Sequence, residues 1–179
     1  SSLFRELNSL LYIQNSLLLV RFPDKNYFEE IASTGYDKLR ERGMFKPKEA
    51  ILNPDSSIIK QLQELKEPLE KDLIALDPKY APIKNEPETF FKQNSLEVLI
   101  PIYLKDELKG LLGLGRKENL RTYAHKDIHL LEQLGLSLGI TLDNSLHHQD
   151  IVEKERLAEE LRLGMEIQIS LLPRAITDI

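Results

Sequence analysis

His125 and His129 stand four residues apart, a spacing that puts two imidazoles on one face of a helix. A helical zinc-hydrolase site would place a glutamate beside the first histidine and a third ligand within reach, and neither is in view. His147 and His148 are adjacent, so on a helix they point about 100° apart and cannot converge on one ion. The chain has no cysteine, which excludes disulfides, thiolate metal sites and thiol nucleophiles and suits a reducing, cytoplasmic setting. Gly110 to Lys117 (GLLGLGRK) has the glycine density of a phosphate loop but lacks the closing Lys-Ser/Thr pair, and its glycines sit among leucines as in a strand. Tyr80, Phe90 and Phe91 are the remaining candidates: three rings able to stack on a bound ligand, or to plug a core. No catalytic group and no metal site are expected.

The element that dominates the chain is the stretch from His125 to Pro173, free of proline until its end and helically periodic throughout. It predicts one very long helix or two joined end to end. Leu131, Leu134, Leu138, Leu142 and Leu146 form one stripe, while Leu136, Ile140 and Ile151 fall on the opposite side. A helix lying on its own domain needs one apolar stripe, so the second implies a partner, here a second copy in a parallel homodimer. Beyond Asp150 the residues are heavily charged, and Leu157, Leu161, Met165 and Leu172 form a stripe with no evident partner within the chain. Gly164 interrupts this stretch at a cost of about 1 kcal/mol relative to alanine, which makes it a candidate hinge. The expected division is a sensory domain over residues 1–150 and a helical linker over 151–179.

With 24 basic against 29 acidic residues, the net charge of −5 is mixed along the chain and marks no nucleic-acid footprint. No apolar run approaches the roughly 20 residues of a membrane span. Residues 3–14 predict an N-terminal helix. Ser16 to Phe22 predicts a buried strand closed by Pro23-Asp24, and Tyr27 to Ser33 predicts its hairpin partner. Residues 36–54 read as irregular, and Asp55-Ser56 caps a helix carrying Ile58, Ile59, Leu62 and Leu65. Leu69 to Leu76 reads as a strand. Asp77 to Asn94, punctuated by Pro78, Pro82 and Pro87, reads as a lid over a pocket. The clearest strands are Leu96 to Leu104 and Leu108 to Leu114, joined across Lys105-Asp106-Glu107. This order predicts an α+β sandwich with an antiparallel sheet.

The strand Val98-Leu99-Ile100-Pro101-Ile102, the glycine-bearing strand Gly110 to Gly115, the stretch Tyr123 to Leu131 and the late-helix Leu142-Asp143-Asn144-Ser145-Leu146 resemble the second half of a GAF domain. The resemblance covers residues 96–146, and residues 1–95 follow the family only in element order. Ala124 departs from it, standing where the family often has Ser or Thr as N-cap, so Thr122 or solvent would have to satisfy the helix start. The resemblance implies a GAF-like antiparallel sheet sandwiched by helices, a regulatory role and a small-molecule ligand. No Asn-Lys-Phe-Asp-Glu signature of cyclic-nucleotide binding is found, and the thiol for bilin attachment is missing, so the cofactor is unknown.

Glu159 to Pro173, with Glu166-Ile167-Gln168 and Leu171-Leu172-Pro173, resembles the linker that precedes the phosphatase domain of bacterial metal-dependent serine/threonine phosphatases of the sporulation and stress-response type. That resemblance implies an attached phosphatase, whose metal-binding aspartates would lie beyond Ile179. The chain is thus expected to be the non-enzymatic sensing arm of a longer signalling protein. A ligand-free dimerisation module and the arm of a histidine kinase are the alternatives.

Overall fold

The computed structural model describes residues 12–44, 46, 49–120, 122–147, 156–161 and 163. A six-stranded antiparallel sheet runs through its middle. Its strands are β1 (Ser16–Arg21), β2 (Phe28–Thr34), β3 (Ile51–Leu52), β4 (Leu69–Glu70), β5 (Val98–Leu104) and β6 (Glu107–Leu114), in the order β3-β2-β1-β6-β5-β4. The helices are α1 (Tyr36–Glu41), α2 (Ser57–Leu65), α3 (Lys71–Leu76), a 3-10 helix (Pro78–Ile83), α4 (Asn85–Gln93) and α5 (His125–His147).

Both faces of the sheet are covered, which explains why β1 and β5 read as continuous apolar runs rather than as alternation. Leu18, Val20, Val98, Ile100, Ile102, Leu112 and Leu114 face one core with α5. Leu17, Leu19, Leu99, Tyr103, Leu108 and Leu111 face a second core with α2, α3 and α4. One strand's successive side chains therefore feed two separate cores.

Local chemistry sets the ends of these elements. Ser56 Oγ accepts from the Ile58 N–H and starts α2, as its sequence predicts, and α2 ends on Lys66 in the left-handed conformation. Lys105 and Asp106 both have positive φ, the signature of a two-residue hairpin turn, so Glu107 belongs to β6 rather than to the loop. Asp106 is tied to Lys66, clamping this hairpin to the end of α2. Pro101 has no N–H to give; β4 pairs with β5 only at Val98 and Leu99, so the proline lies past the end of that strand.

Four expectations are corrected. Residues 36–54 hold a short helix, α1, started at Gly35 (φ 85°), and the two-residue strand β3. Leu69–Leu76 is strand for only two residues and then helix, with Ile74 alone buried in it. Asp77–Asn94 is two helical pieces, not an irregular loop. Pro78 lies in the first turn of the 3-10 helix behind the Asp77 cap, and Pro87 lies in the first turn of α4, where a missing N–H leaves no bond unmade. The described part of the expected N-terminal helix is not helical: Ile13 bridges Lys117, and the rest lies outside the described residues.

Candidate functional site

α5 is held at its first turn by one carboxylate. Asp127 Oδ2 accepts from the Ala124 N–H at 3.0 Å and from Lys117 Nζ at 2.8 Å. This answers the missing N-cap hydroxyl: the third helical residue reaches back to satisfy the helix start, one half of a capping box. Both charges are buried, with 9% and 3% of their side chains exposed. Lys117 also lies 5.6 Å from the Tyr123 ring centre, over its face, and the Tyr123 hydroxyl donates to the Gly115 carbonyl at 2.7 Å. Burial pushes the Tyr123 phenol well above its ordinary range, and the nearby Glu97 and Asp127 charges push the same way. The segment before β1 is bonded into this joint, since Gln14 N–H donates to the Arg116 carbonyl and Glu118 N–H to the Tyr12 carbonyl. The entering chain, the exit from β6 and the start of α5 therefore form one hydrogen-bonded unit.

Along α5, Leu131, Leu134, Leu138 and Leu142 are buried against the sheet as expected, joined by Ile128. Leu136 and Ile140 are exposed at 58% and 56%, on the opposite side of the helix. The side chain of Leu146 and all of Ile151 lie outside the described residues. Sequence reasoning missed a pair of glycines on the flank of the buried stripe. A Cβ on Gly135 would stand 2.8 Å from the Pro101 carbonyl oxygen, and one on Gly139 would overlap the Tyr103 carbonyl oxygen. The helix rests directly on the β5 backbone at these two points. The Gly-x-x-x-Gly spacing inside a leucine-rich helix was the signal available.

An apolar stripe left without its partner can fray or pair with the nearest apolar surface, and the described start of the connector does the second. Residues 156–161 are helical, and Leu157 and Leu161 are almost fully buried in the same core as Leu18, Val20 and α5. These two residues, part of the stripe with no evident partner within the chain, thus pack on their own domain. Gly164, Met165 and Leu172 lie outside the described residues.

Tyr80, Phe90 and Phe91 sit in the second core, each less than a tenth exposed. Their rings occupy the space between sheet and helices that a lid would have left to a ligand. Tyr103 shares that core, and among the described residues its hydroxyl has no hydrogen-bond partner; burial pushes its pKa up to about 12. His125 and His129 are exposed, with His129 Nε2 placed 3.3 Å from Gln133 Nε2. Among the described residues no three metal-ligating side chains converge. His147 is helical with its side chain undescribed, and His148 lies outside the described residues.

No protein-family model matches the chain, and no curated protein matches it in sequence. Solved structures do match in shape. The GAF domain/HD domain protein from Geobacter sulfurreducens superposes with a TM-score of 0.54 at 15% identity, covering 84% of this chain and 93% of that one. The GAF domain of a phosphoenolpyruvate-protein phosphotransferase from Coxiella burnetii gives 0.55 at 18%, covering 81% and 80%. The GAF domain of a two-component sensor histidine kinase from Bacillus halodurans gives 0.55 at 16%, covering 83% and 94%. The fold is GAF-like: an antiparallel sheet between two helical layers. Among the described residues no helix is long and apolar enough to cross a membrane.

Proposed function

We propose that this chain is a regulatory sensory module, residues 1–150, that forms a parallel homodimer and passes a ligand or conformational signal through residues 151–179 to an attached serine/threonine phosphatase domain in bacterial partner-switching signalling. The observation that carries the reading is the arrangement of α5. One side is fixed to the sheet by four leucines and two glycines, while Leu136 and Ile140 on the other side are left to water. Fully burying such side chains contributes on the order of 1.5–3 kcal/mol each, so a two-fold contact using both on each copy favours dimerisation. The structural neighbours named as a sensor histidine kinase and as a phosphotransferase GAF domain support a regulatory role of this kind. The phosphatase output rests on the resemblance of residues 159–173 to the phosphatase linker. The coding sequence downstream of Ile179 tests that output directly: metal-binding aspartates of a phosphatase are expected there, and a histidine-kinase dimerisation helix in their place would reassign it.

Light scattering on Ile140→Glu tests the dimer. The wild type is expected to run as a dimer and the variant as a monomer with a melting temperature within about 2 °C, since the side chain is exposed in the single copy. A variant that stays dimeric moves the interface to another surface.

A further inference from the structure

We propose that a cleft beside the first turn of α5 binds a small zwitterion, an ammonium and a carboxylate a few ångströms apart; this rests on the sensory reading above and gives its signal a place and a chemistry. The cleft has a volume of about 370 Å³ and is walled by Glu70, Lys71, Asp72, Glu97 and Arg116, with Val98 and Tyr123 among its lining. It lies at the edge of the sheet where β4, the start of β5 and the loop after β6 meet, away from the second core that Tyr80, Phe90 and Phe91 fill. Space for a ligand is therefore open at the helix start and taken by rings beneath the expected lid.

The charges choose the ligand. Lys71 and Arg116 share one carboxylate, Glu97, at 4.0 and 3.5 Å. Both are longer than the 2.7–2.9 Å of a charge-assisted hydrogen bond, and a guanidinium has five N–H donors to place. A ligand carboxylate can take the donors that Glu97 leaves unused. Glu70 and Asp72 make no ion pair among the described residues. Burial raises the Glu70 pKa, the neighbouring Asp72, Glu132 and Glu67 charges raise it further, and His125 acts in the opposite direction. An ammonium set between Glu70 and Asp72 removes that strain. A simple anion would leave these two acids uncompensated, and a simple cation would leave Arg116 and Lys71 on their single shared partner. A molecule carrying both charges answers both sets of groups.

The position gives the binding a consequence. Lys117 and Tyr123 also line the cleft, and these are the groups that hold the start of α5 through Asp127 and the Gly115 carbonyl. An occupant touches the joint that fixes the angle at which the long helix leaves the sheet.

Calorimetric titration at constant ionic strength with L-alanine, β-alanine and 4-aminobutyrate tests the proposal, with butylamine and butyrate as single-charge controls. At least one of the three zwitterions is expected to bind saturably and at least tenfold more tightly than either control. Glu70→Gln and Arg116→Met are each expected to weaken it at least fivefold, with Asp72→Asn and Lys71→Met as a second pair should either of the first fail to fold. No saturable binding, equal binding of a single-charge control, or affinity within fivefold of wild type in folded variants overturns the cleft assignment. The oligomeric state is measured on the same samples. A dimer that binds no zwitterion overturns the cleft and leaves the relay reading standing, whereas a zwitterion bound by a wild-type monomer overturns the dimer relay instead.

Discussion

Gly139→Ala separates two opposed effects on α5. On an isolated helix, alanine is favoured over glycine by about 0.8–1.0 kcal/mol, so propensity alone predicts a more stable protein. The structure predicts the reverse. The new Cβ would overlap the Tyr103 carbonyl oxygen and lie 3.0 Å from its carbon, both backbone atoms of a strand paired with β6. A backbone fixed in a ladder cannot turn aside as a flexible side chain does, so the helix must lift. Forcing an extra carbon into a packed contact costs typically about 1–3 kcal/mol, and a near-complete overlap belongs at or above the top of that range. Subtracting the propensity gain of about 0.8–1.0 kcal/mol leaves a net loss of about 2 kcal/mol or more, or a melting temperature lower by roughly 4–8 °C for a domain of this size. Gly135→Ala meets a milder contact, 2.8 Å from the Pro101 oxygen, and is expected to lose less. Thermal denaturation followed by circular dichroism reads both. A Gly139→Ala protein that melts above wild type, or below it by less than Gly135→Ala, refutes the glycine seat.

Two further perturbations follow from buried polar groups. Lys117→Met leaves Asp127 buried without its cation while the Ala124 N–H still satisfies part of it, so the loss is expected near 2–4 kcal/mol and the melting temperature falls by roughly 5–15 °C at neutral pH; a drop under 2 °C would show that the pair does not hold the helix start. Tyr103→Phe removes a hydroxyl that has no partner among the described residues, and because an unsatisfied buried group costs about 1–3 kcal/mol while its removal leaves only a small gap, the variant is expected to melt a few degrees higher; a lower melting temperature would show that the hydroxyl is satisfied in solution. The same phenol carries a pH signature: its folded pKa, about 12, is raised above an unfolded value near 10, so its contribution is fully present below about pH 10 and is lost as pH rises from there toward 12. Over that window Tyr103→Phe should lose stability less steeply than wild type, and parallel curves would contradict the buried assignment.

The parts of the fold that were legible in the sequence are those where one residue type has one use. The runs at Ser16–Phe22, Leu96–Leu104 and Leu108–Leu114 gave strands, and Ser56 gave a helix start, because a continuous apolar run and an N-cap hydroxyl admit few readings. The prolines of Asp77–Asn94 misled because Pro78 and Pro87 occupy first turns, where a proline fits, and Pro82 lies inside a short 3-10 helix; spacing alone does not tell which position a proline takes. The aromatic trio could stack or plug, and only the fold shows that the second core closes around it. The leucine stripe and the exposed Leu136 and Ile140 followed from periodicity; the glycine seat did not, because a glycine in a helix reads as a cost until the strand beneath it is known. Lys117 and Asp127 are ten residues apart and straddle the turn into α5, so no helical spacing announced their pairing.

Strand β5 is the element the two cores share. Its carbonyls at Pro101 and Tyr103 lie under α5, while the side chains of Leu99 and Tyr103 project into the core of the opposite face. A side chain at 135 or 139 could take up a small shift of the strand by changing rotamer; a bare Cα has no such slack, so displacement of β5 becomes displacement of α5. At about 100° per residue, Leu136 and Ile140 lie one step around the helix from the two glycines. A roll of the helix on its seat therefore turns the exposed pair relative to any partner. The other fixed point, the Lys117–Asp127 joint, sits at the helix start and borders the mixed-charge cleft. A rigid rod held at its start and along its flank has little freedom to bend between them, because packed contacts of this kind shift between discrete arrangements rather than deforming continuously. On the proposed relay, an input at either fixed point would reorient the same outward face, and a coupling of about 1–3 kcal/mol between the sites would change affinity at that face 5- to 150-fold.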